Sequence, residues 1–127
     1  MSTLTSPTAS LLGSHSDSHT SSQWVTLCVV STTMGDAAEA EDMARALVAA
    51  KAAACVQTER ITSYYEWDGV LQSSPEWRLL CKTLPEVLPR LTQLMRDKHS
   101  YKVPQITMRT ELCLSDYGQW LKLQVKG

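Results

Sequence analysis

One segment, residues 53–82, restricts the possible folds of this chain more than any other. Two runs rich in Val, Ile, Thr, Tyr and Trp lie on either side of Asp68-Gly69. An Asp-Gly pair between β-prone runs favours a two-residue type I′ turn, because both central residues of that turn need positive φ. The segment is therefore predicted to form a single long β-hairpin.

The length of this hairpin predicts that the protein assembles. At about 3.3 Å per residue, a first arm from Ala54 to Trp67 would span about 45 Å, whereas ordinary strands reach about 20 Å. A domain of about 100 residues cannot cover such arms, so unpaired backbone groups and aromatic side chains would face water. We expect other copies of the chain to pair with the overhang.

Composition divides the chain into a tail and one domain. Residues 1–23 are rich in Ser, Thr and His and poor in large apolar groups, so they are predicted to form a disordered tail. Residues 24–127 are then expected to fold as one domain with one core. A net charge of −1, without a long Lys or Arg cluster, argues against a nucleic-acid partner.

The compartment is expected to be the cytoplasm. No run approaches the roughly 18 apolar residues of a membrane span, and the sequence starts without the basic and apolar regions of a signal peptide. We therefore expect no membrane partner. The four cysteines lie in apolar runs without CxxC spacing, so they are expected to be buried thiols.

The segments before the hairpin are predicted to be a strand and a helix. Residues 24–32 are β-branched and aromatic without a helical period, which is typical of a central strand covered on both faces. Asp36 and Glu39 have the spacing of a capping box, so a helix should begin there and continue to about Lys51. Its inner face carries Ala40, Met43, Ala44, Leu47 and Val48.

The remaining segments add a helix, a strand and a short final helix. Pro75 should bulge or interrupt the second hairpin arm, because proline cannot donate to a strand ladder. Thr83 and Glu86 have the spacing of a second capping box, for a helix that ends near Lys98. Residues 105–114 alternate as a half-buried strand, and Ser115 begins the last helix. The apolar side of that strand carries Ile106, Met108, Thr110, Leu112 and Leu114.

The predicted order of elements is strand, helix, hairpin, helix, strand and short helix. This is the βαββαβ plan of a ferredoxin-like α+β sandwich, in which two helices cover one face of four antiparallel strands. The long β-hairpin and the short C-terminal helix are additions to that plan.

The sequence contains no catalytic motif. It has no Gly-rich phosphate loop, no GxSxG and no HExxH, so the chain is not predicted to be an enzyme. An enzyme would instead need a strongly perturbed pKa at His99 or Lys82 in a closed pocket. What stands out is the polar segment at residues 99–104, HSYKVP. Its histidine can ligate a metal, sense pH, bind a ligand or cap the preceding helix.

Other candidate ligand-binding residues lie on the hairpin. Tyr65 and Trp67 belong to an aromatic strip that suits an interface better than a binding platform. Lys82 is the basic residue that we expect in a cleft beside His99 and Tyr101.

Five motifs together resemble the CutA family of divalent-cation tolerance proteins, and the resemblance extends from about Val25 to Leu123. In chain order they are Ala53-Ala54-Cys55-Val56, Ile61-Thr62-Ser63-Tyr64-Tyr65-Glu66-Trp67-Asp68-Gly69, Glu76 with Lys82-Thr83, His99-Ser100-Tyr101-Lys102-Val103-Pro104, and Tyr117-Gly118-Gln119-Trp120-Leu121.

The resemblance implies a compact homotrimer similar in shape to the PII signalling proteins, with the hairpin arms joining neighbouring sheets. It also implies a part in tolerance of copper and other divalent cations, with Cys55 and His99 at positions linked to metal and no organic cofactor. Thr32 stands where some relatives have a metal-linked cysteine. One histidine and one thiol per subunit make a poor copper site unless subunits share ligands.

Two functional hypotheses follow. The first is a trimer without catalytic activity that binds copper, another divalent metal or a small ligand in clefts between subunits, through Tyr65, Trp67, Lys82, His99 and Tyr101. The alternative is a structural or signalling trimer that docks a partner protein on its aromatic hairpin.

Overall fold

A computed structural model of the chain describes residues 23–126, so the predicted tail lies outside the described part except for Gln23. The elements in chain order are β1 (Trp24–Met34), α1 (Ala37–Ala49), β2 (Cys55–Trp67), β3 (Val70–Thr83), a 3-10 turn (Pro85–Val87), α2 (Leu88–Lys98), β4 (Ile106–Leu114) and α3 (Ser115–Val125).

The four strands form one antiparallel sheet in the order β2-β3-β1-β4. This order confirms the ferredoxin-like α+β plan, since the two βαβ halves interleave in one sheet. It leaves β2 and β4 as the edge strands of the chain. Among residues 23–126, no helix is both long enough and apolar enough to cross a lipid bilayer.

The predicted hairpin and its overhang are confirmed. Asp68 and Gly69 have φ of 53° and 75°, the positive values that a type I′ turn needs. The two arms pair in unbroken register from Cys55 opposite Lys82 to Trp67 opposite Val70. β1 ends at Met34, opposite Trp77 on β3. The part of the hairpin between Trp77 and the turn therefore projects beyond the central strand of the sheet.

The predicted bulge at Pro75 is wrong. Pro75 lies directly opposite Thr62 in the same register as its neighbours. Beyond Trp77 the strand β3 has β2 on one side and no β1 residue on the other. A proline is tolerated in a continuous strand where one edge is free, because the missing N–H then costs no ladder hydrogen bond.

The core consists of two clusters on opposite faces of β1. Since successive side chains of a strand point to opposite faces, Val30 and Met34 pack with α1 and α2, whereas Leu27 and Val29 pack with α3. The strand is thus covered on both faces, as its sequence predicts. The other principal members are Met43, Leu47, Leu79, Cys81, Leu91 and Met95 in the first cluster and Ala54, Val87, Leu121 and Val125 in the second.

The helix starts agree with prediction only in part. The Asp36 carboxylate accepts from the Ala38 N–H at 2.7 Å, but Glu39 accepts from the Ser100 hydroxyl instead of closing a capping box. The second capping box is wrong, because Thr83 is buried and donates to the Ala52 carbonyl at 2.8 Å. Tertiary partners therefore claim both side chains that local spacing assigns to a cap.

The predicted apolar faces also need correction. Val48 is exposed although the adjacent Leu47 is fully buried, because neighbouring residues on a helix point in different directions and only Leu47 faces the core. On β4, only Ile106 packs against the first cluster, so three apolar side chains farther along the same face are exposed. They are Met108, Leu112 and Leu114.

Gly118 should be required by the packing of α3. A Cβ atom built at this position would overlap Cγ2 of Val25 on β1. Gly118→Ala gains about 1 kcal/mol of helix propensity but overpacks the contact, which costs about 1–3 kcal/mol. We expect the variant to be the less stable protein by urea unfolding. Val25→Ala in the same chain should recover most of the loss, and a Gly118→Ala protein more stable than the parent would contradict this packing.

Candidate functional site

A network of hydrogen bonds surrounds His99 at the end of β1. The chain leaves α2 at Lys98, and the extended backbone of His99 turns its ring onto β1. Its Nε2 atom lies 3.0 Å from the Thr33 carbonyl oxygen and 3.0 Å from the Thr32 hydroxyl oxygen. Its Nδ1 atom lies 3.1 Å from the backbone nitrogen of Tyr101.

These partners determine which nitrogen of the His99 ring carries the proton. The Tyr101 N–H can only donate, so Nδ1 accepts and has no hydrogen. The Thr33 carbonyl can only accept, so Nε2 carries the hydrogen. Since the Thr32 hydroxyl donates to the Gln105 carbonyl at 2.7 Å, its oxygen is free to accept from Nε2 as well. His99 is therefore a neutral imidazole with both nitrogens engaged.

Tyr101 connects this network to the hairpin. Its hydroxyl donates to Oε2 of Glu76 at 2.8 Å, and the Ser63 hydroxyl donates to Oε1 at 2.6 Å. The phenol ring also packs on the His99 ring, with centroids 5.1 Å apart. A Cβ atom at Gly35 would lie 2.9 Å from the phenol oxygen, so the lack of a side chain at Gly35 makes room for Tyr101.

The electrostatics of the network keep both rings uncharged. Burial lowers the pKa of His99, although its bond to the Thr33 carbonyl and the charges of Glu39 and Glu76 act in the opposite direction. Burial, together with the bond to Glu76 and its charge, raises the pKa of Tyr101 to about 12. Tyr101 is therefore a hydrogen-bond donor at neutral pH.

Glu76 is the acidic centre of the site, and its charge has no cationic partner in residues 23–126. The ion pairs described there join Arg45 to Glu41, Arg78 to Glu59 and Arg109 to Glu111. Two hydroxyl groups bond to the Glu76 carboxylate instead, and each of its oxygens keeps a second lone pair. A carboxylate held in this way is suited to attract a cation.

The described chain does not bring Lys82 and Cys55 to His99. Lys82 lies opposite both Cys55 and Val29, and its ammonium group lies 5.6 Å from the ring centroid of Tyr117 on α3. Val29 and Thr32 are three residues apart on β1, so their side chains point to opposite faces of the sheet. Lys82 and Cys55 therefore lie on the α3 face, whereas His99 bonds to Thr32 on the other.

The other two candidates lie on the hairpin. Tyr65 is close enough to Tyr101 to affect its pKa, and it shares a hairpin face with Ser63 and Glu76, where its hydroxyl lies 3.3 Å from that of Ser74. Trp67 lies on the same face at the turn and is 67% exposed. Tyr65 therefore borders the network, whereas Trp67 belongs to the hairpin tip.

The residues of a single chain do not fit a copper ion. His99 has no free nitrogen lone pair, and Cys55 lies on the opposite face of the sheet. Within residues 23–126, no three His, Cys, Asp or Glu side chains are grouped closely enough to hold a metal. Any metal site would need ligands from more than one chain, or a rearrangement of the His99 ring.

Sequence reasoning assigned no role to Thr32 and Gly35 in this network. It considered Glu76 as a source of hard oxygen ligands or as an exposed cross-strand charge, and favoured the exposed charge. The position of Glu76 beside Ser63 could have been predicted from the hairpin turn, because the register of a type I′ turn places Glu76 opposite Ile61 and diagonal to Ser63. The contacts of Thr32 and Gly35 could not be found in this way, since both join segments more than 60 residues apart.

Two groups of exposed apolar side chains lie at the ends of the sheet edges, one at the hairpin tip and one on β4. The tip surface consists of Tyr64, Trp67, Val70 and Leu71 around the hairpin turn. The edge surface consists of Met108, Leu112 and Leu114 on β4. A cleft of about 460 Å³ also lies beside the free edge of β2, lined by α1 and by Val56, Thr58 and Trp77.

Comparison with known families gives one clear match. The profile of the CutA1 divalent ion tolerance proteins matches residues 28–124. A "Divalent-cation tolerance protein CutA" of Thermotoga maritima is 30% identical over 100 residues, which cover 78% of this chain and 99% of that protein. Human "Protein CutA" is 36% identical over 85 residues, but the match spans only 48% of its length.

Solved structures agree with the sequence comparison. CutA from Synechococcus elongatus has a TM-score of 0.79 at 30% identity, over 83% of this chain and 97% of that one. CutA1 from Oryza sativa has a TM-score of 0.75 at 30% identity, over 80% and 95% of the two chains. The similarity thus includes both edge strands, the hairpin and the segment around His99.

Stability should fall in mild acid because of His99. Its pKa is lowered in the folded protein and is about 6.5 in the unfolded chain, so only the unfolded chain gains a proton as the pH falls below that value. We expect the free energy of unfolding to decrease from about pH 6.5 downwards, measured by urea titration. His99→Gln should be less sensitive to pH in this range, and equal slopes for both proteins would contradict the assignment.

Proposed function

The chain belongs to the family of CutA1 divalent ion tolerance proteins, and we propose that it acts in divalent-cation tolerance as a homotrimer that binds a cation and catalyses no reaction. The carrying observation is Glu76, a half-buried carboxylate that two hydroxyl groups orient and that no cation of the described chain neutralises. We place the protein in the cytoplasm, a reducing compartment that suits its free cysteines.

The edges of the sheet support an assembly of several chains. β2 and β4 are both free along their outer sides, over 13 and 9 residues. Met108 and Leu112 share the sheet face of Ile106, and Val56 on β2 lies on that face beside the cleft. If β4 of one subunit pairs with β2 of the next, these apolar side chains extend the core into the cleft. In the proposed homotrimer, three such head-to-tail contacts would close a ring.

Assembly would also complete the cation site. Glu76 and Tyr101 lie where the hairpin leaves the body of the subunit, next to the part of β3 that has lost its β1 neighbour. A second subunit that covers this overhang would bring further oxygen or nitrogen ligands to the carboxylate. Hard divalent cations prefer such oxygen ligands, whereas copper would need a thiolate or a free imidazole nitrogen.

Trp67→Asp should disrupt the assembly. Because Trp67 is 67% exposed in a single chain, a monomer would lose no more than about 0.5 kcal/mol on this substitution. We expect instead a smaller particle by light scattering and a lower unfolding midpoint, since a charge would be buried between subunits. Val48→Asp, an exposed change on α1 outside both apolar surfaces, is the matched control. Unchanged mass and midpoint for Trp67→Asp would refute this interface.

Cation binding should depend on Glu76. Native mass spectrometry of the full chain with added Zn²⁺, which carboxylate oxygens can ligate, should show a whole number of ions for each trimer. Glu76→Gln keeps the shape of the side chain and should lose these ions, whereas Glu41→Gln, which removes an exposed carboxylate on α1, should retain them. Equal metal uptake by Glu76→Gln and the parent protein, or no metal uptake by the parent protein, would contradict the cation-binding proposal.

The second candidate is a scaffold that docks a partner protein, and the tip surface favours it. Leu71 is 75% exposed and lies on the opposite face of the hairpin from Trp67 and Val70, so both faces of the tip carry exposed apolar area. In this case the tip would stay exposed after assembly. Trp67→Asp would then leave the mass of the particle unchanged while abolishing capture of the partner.

A further inference from the structure

We infer that His99 is a positioning residue, which holds Tyr101 against Glu76, and that the groups facing the cation are Tyr101 and Glu76. The inference rests on the proposed cation-binding function. An imidazole near carboxylates is normally taken as a metal ligand. We instead assign His99 the role of holding a neighbouring residue in place.

The ring nitrogens of His99 determine whether this residue can ligate a metal. A nitrogen ligates a metal through a lone pair that carries no hydrogen, and in His99 the only such nitrogen is Nδ1. That lone pair accepts from the Tyr101 N–H at 3.1 Å. Nε2 carries its hydrogen and donates toward Thr33 and Thr32. Metal binding at His99 would thus break the bond that shapes the following residues.

The loop at residues 99–105 is attached to the end of β1. The Thr32 hydroxyl accepts from His99 at the start of the loop and donates to the Gln105 carbonyl at its end. Both ends of the loop are therefore attached to one side chain of β1. Between them the loop has little packing of its own, since Lys102 is exposed and Val103 is 91% exposed. The path of the loop depends on His99 and Thr32.

The path of this loop determines where the Tyr101 hydroxyl lies relative to the Glu76 carboxylate. The bond from the Tyr101 N–H to His99 sets the backbone direction at Tyr101, and the packing of the two rings sets the side chain. The phenol then fits over Gly35 with its hydroxyl 2.8 Å from Glu76. Without the imidazole, the loop beside Tyr101 would keep the bond from the Ser100 hydroxyl to Glu39, which contacts neither the backbone N–H nor the ring of Tyr101.

Three variants at position 99 separate the two roles. His99→Asn retains an oxygen that accepts from the N–H two residues ahead, as asparagine does in Asx turns. His99→Gln retains a donor for the Thr33 carbonyl, and His99→Ala retains neither group. If His99 positions Tyr101, the Zn²⁺ affinity by calorimetry should fall by about 10–100-fold in His99→Ala and recover in part in His99→Asn or His99→Gln. If all three lose Zn²⁺ equally, the inference is overturned.

Nitrogen NMR of the histidine rings in the full chain supplies a second measurement. We expect the His99 ring to carry its proton on Nε2 without metal, and both ring nitrogen signals to stay in place when Zn²⁺ is added. A large shift of the Nδ1 signal on zinc addition, or a proton on Nδ1 in its absence, would overturn the inference.

The NMR signal of the Tyr101 phenol ring reports whether His99 positions Tyr101, and it does so even if Zn²⁺ does not bind. A failure of Zn²⁺ to bind would refute only the proposed function. His99→Ala should move this signal toward that of a phenol in water. Gly35→Ala is the matched control, because its added methyl group should displace Tyr101 while His99 keeps its proton on Nε2. An unchanged Tyr101 signal in His99→Ala would show that the histidine has no positioning role.

Discussion

Backbone pairing between β2 and β3 is the interaction on which the rest of the molecule depends. It runs without a bulge from Cys55 opposite Lys82 to Trp67 opposite Val70, although β1 supports β3 only as far as Trp77. Beyond that point each arm has the other as its only strand neighbour within residues 23–126, and a two-stranded ribbon alone is at best marginally stable in water. The same continuous register places Glu76 next to Ser63 and brings apolar side chains to the turn. The proposed assembly and the candidate site are thus two consequences of one hairpin.

The candidate site depends on how the end of β1 receives the loop after α2. Thr32 is fully buried, and its hydroxyl is satisfied by His99 and Gln105, so a polar group inside the fold carries its hydrogen bonds at little cost. Through His99 this arrangement reaches Tyr101 and then Glu76. A buried threonine on the central strand therefore influences a carboxylate on the hairpin, although the two do not touch.

Membership of a divalent ion tolerance family and the chemistry of these side chains together restrict the kind of cation site that the protein can form. The family points to a cation, yet the thiol at Cys55 and the imidazole of His99 lie apart on one chain, and the ring nitrogens are engaged. In the described chain the Glu76 carboxylate has no cationic partner, and two hydroxyl groups orient it without neutralising its charge. A hard-oxygen site completed by a second subunit reconciles the family with this geometry better than a soft copper site within one chain.

The sequence by itself determined the elements whose causes are local. The Asp68-Gly69 turn, the β-branched runs and the helical spacing of Met43 and Leu47 predict the hairpin, the strands and α1, because turn geometry and side-chain periodicity act over a few residues. Only the tertiary structure decided the rest. Thr83 and Glu39 have the spacing of capping residues, but their side chains bond to groups that are distant in sequence. On β4, the alternation of apolar and polar residues predicts a buried face, although Met108 on that face is exposed. A histidine in a polar loop suggests a metal ligand. The role of His99, however, depends on which groups form hydrogen bonds with its two ring nitrogens. Those groups include Thr33, 66 residues away, and only folding brings them together.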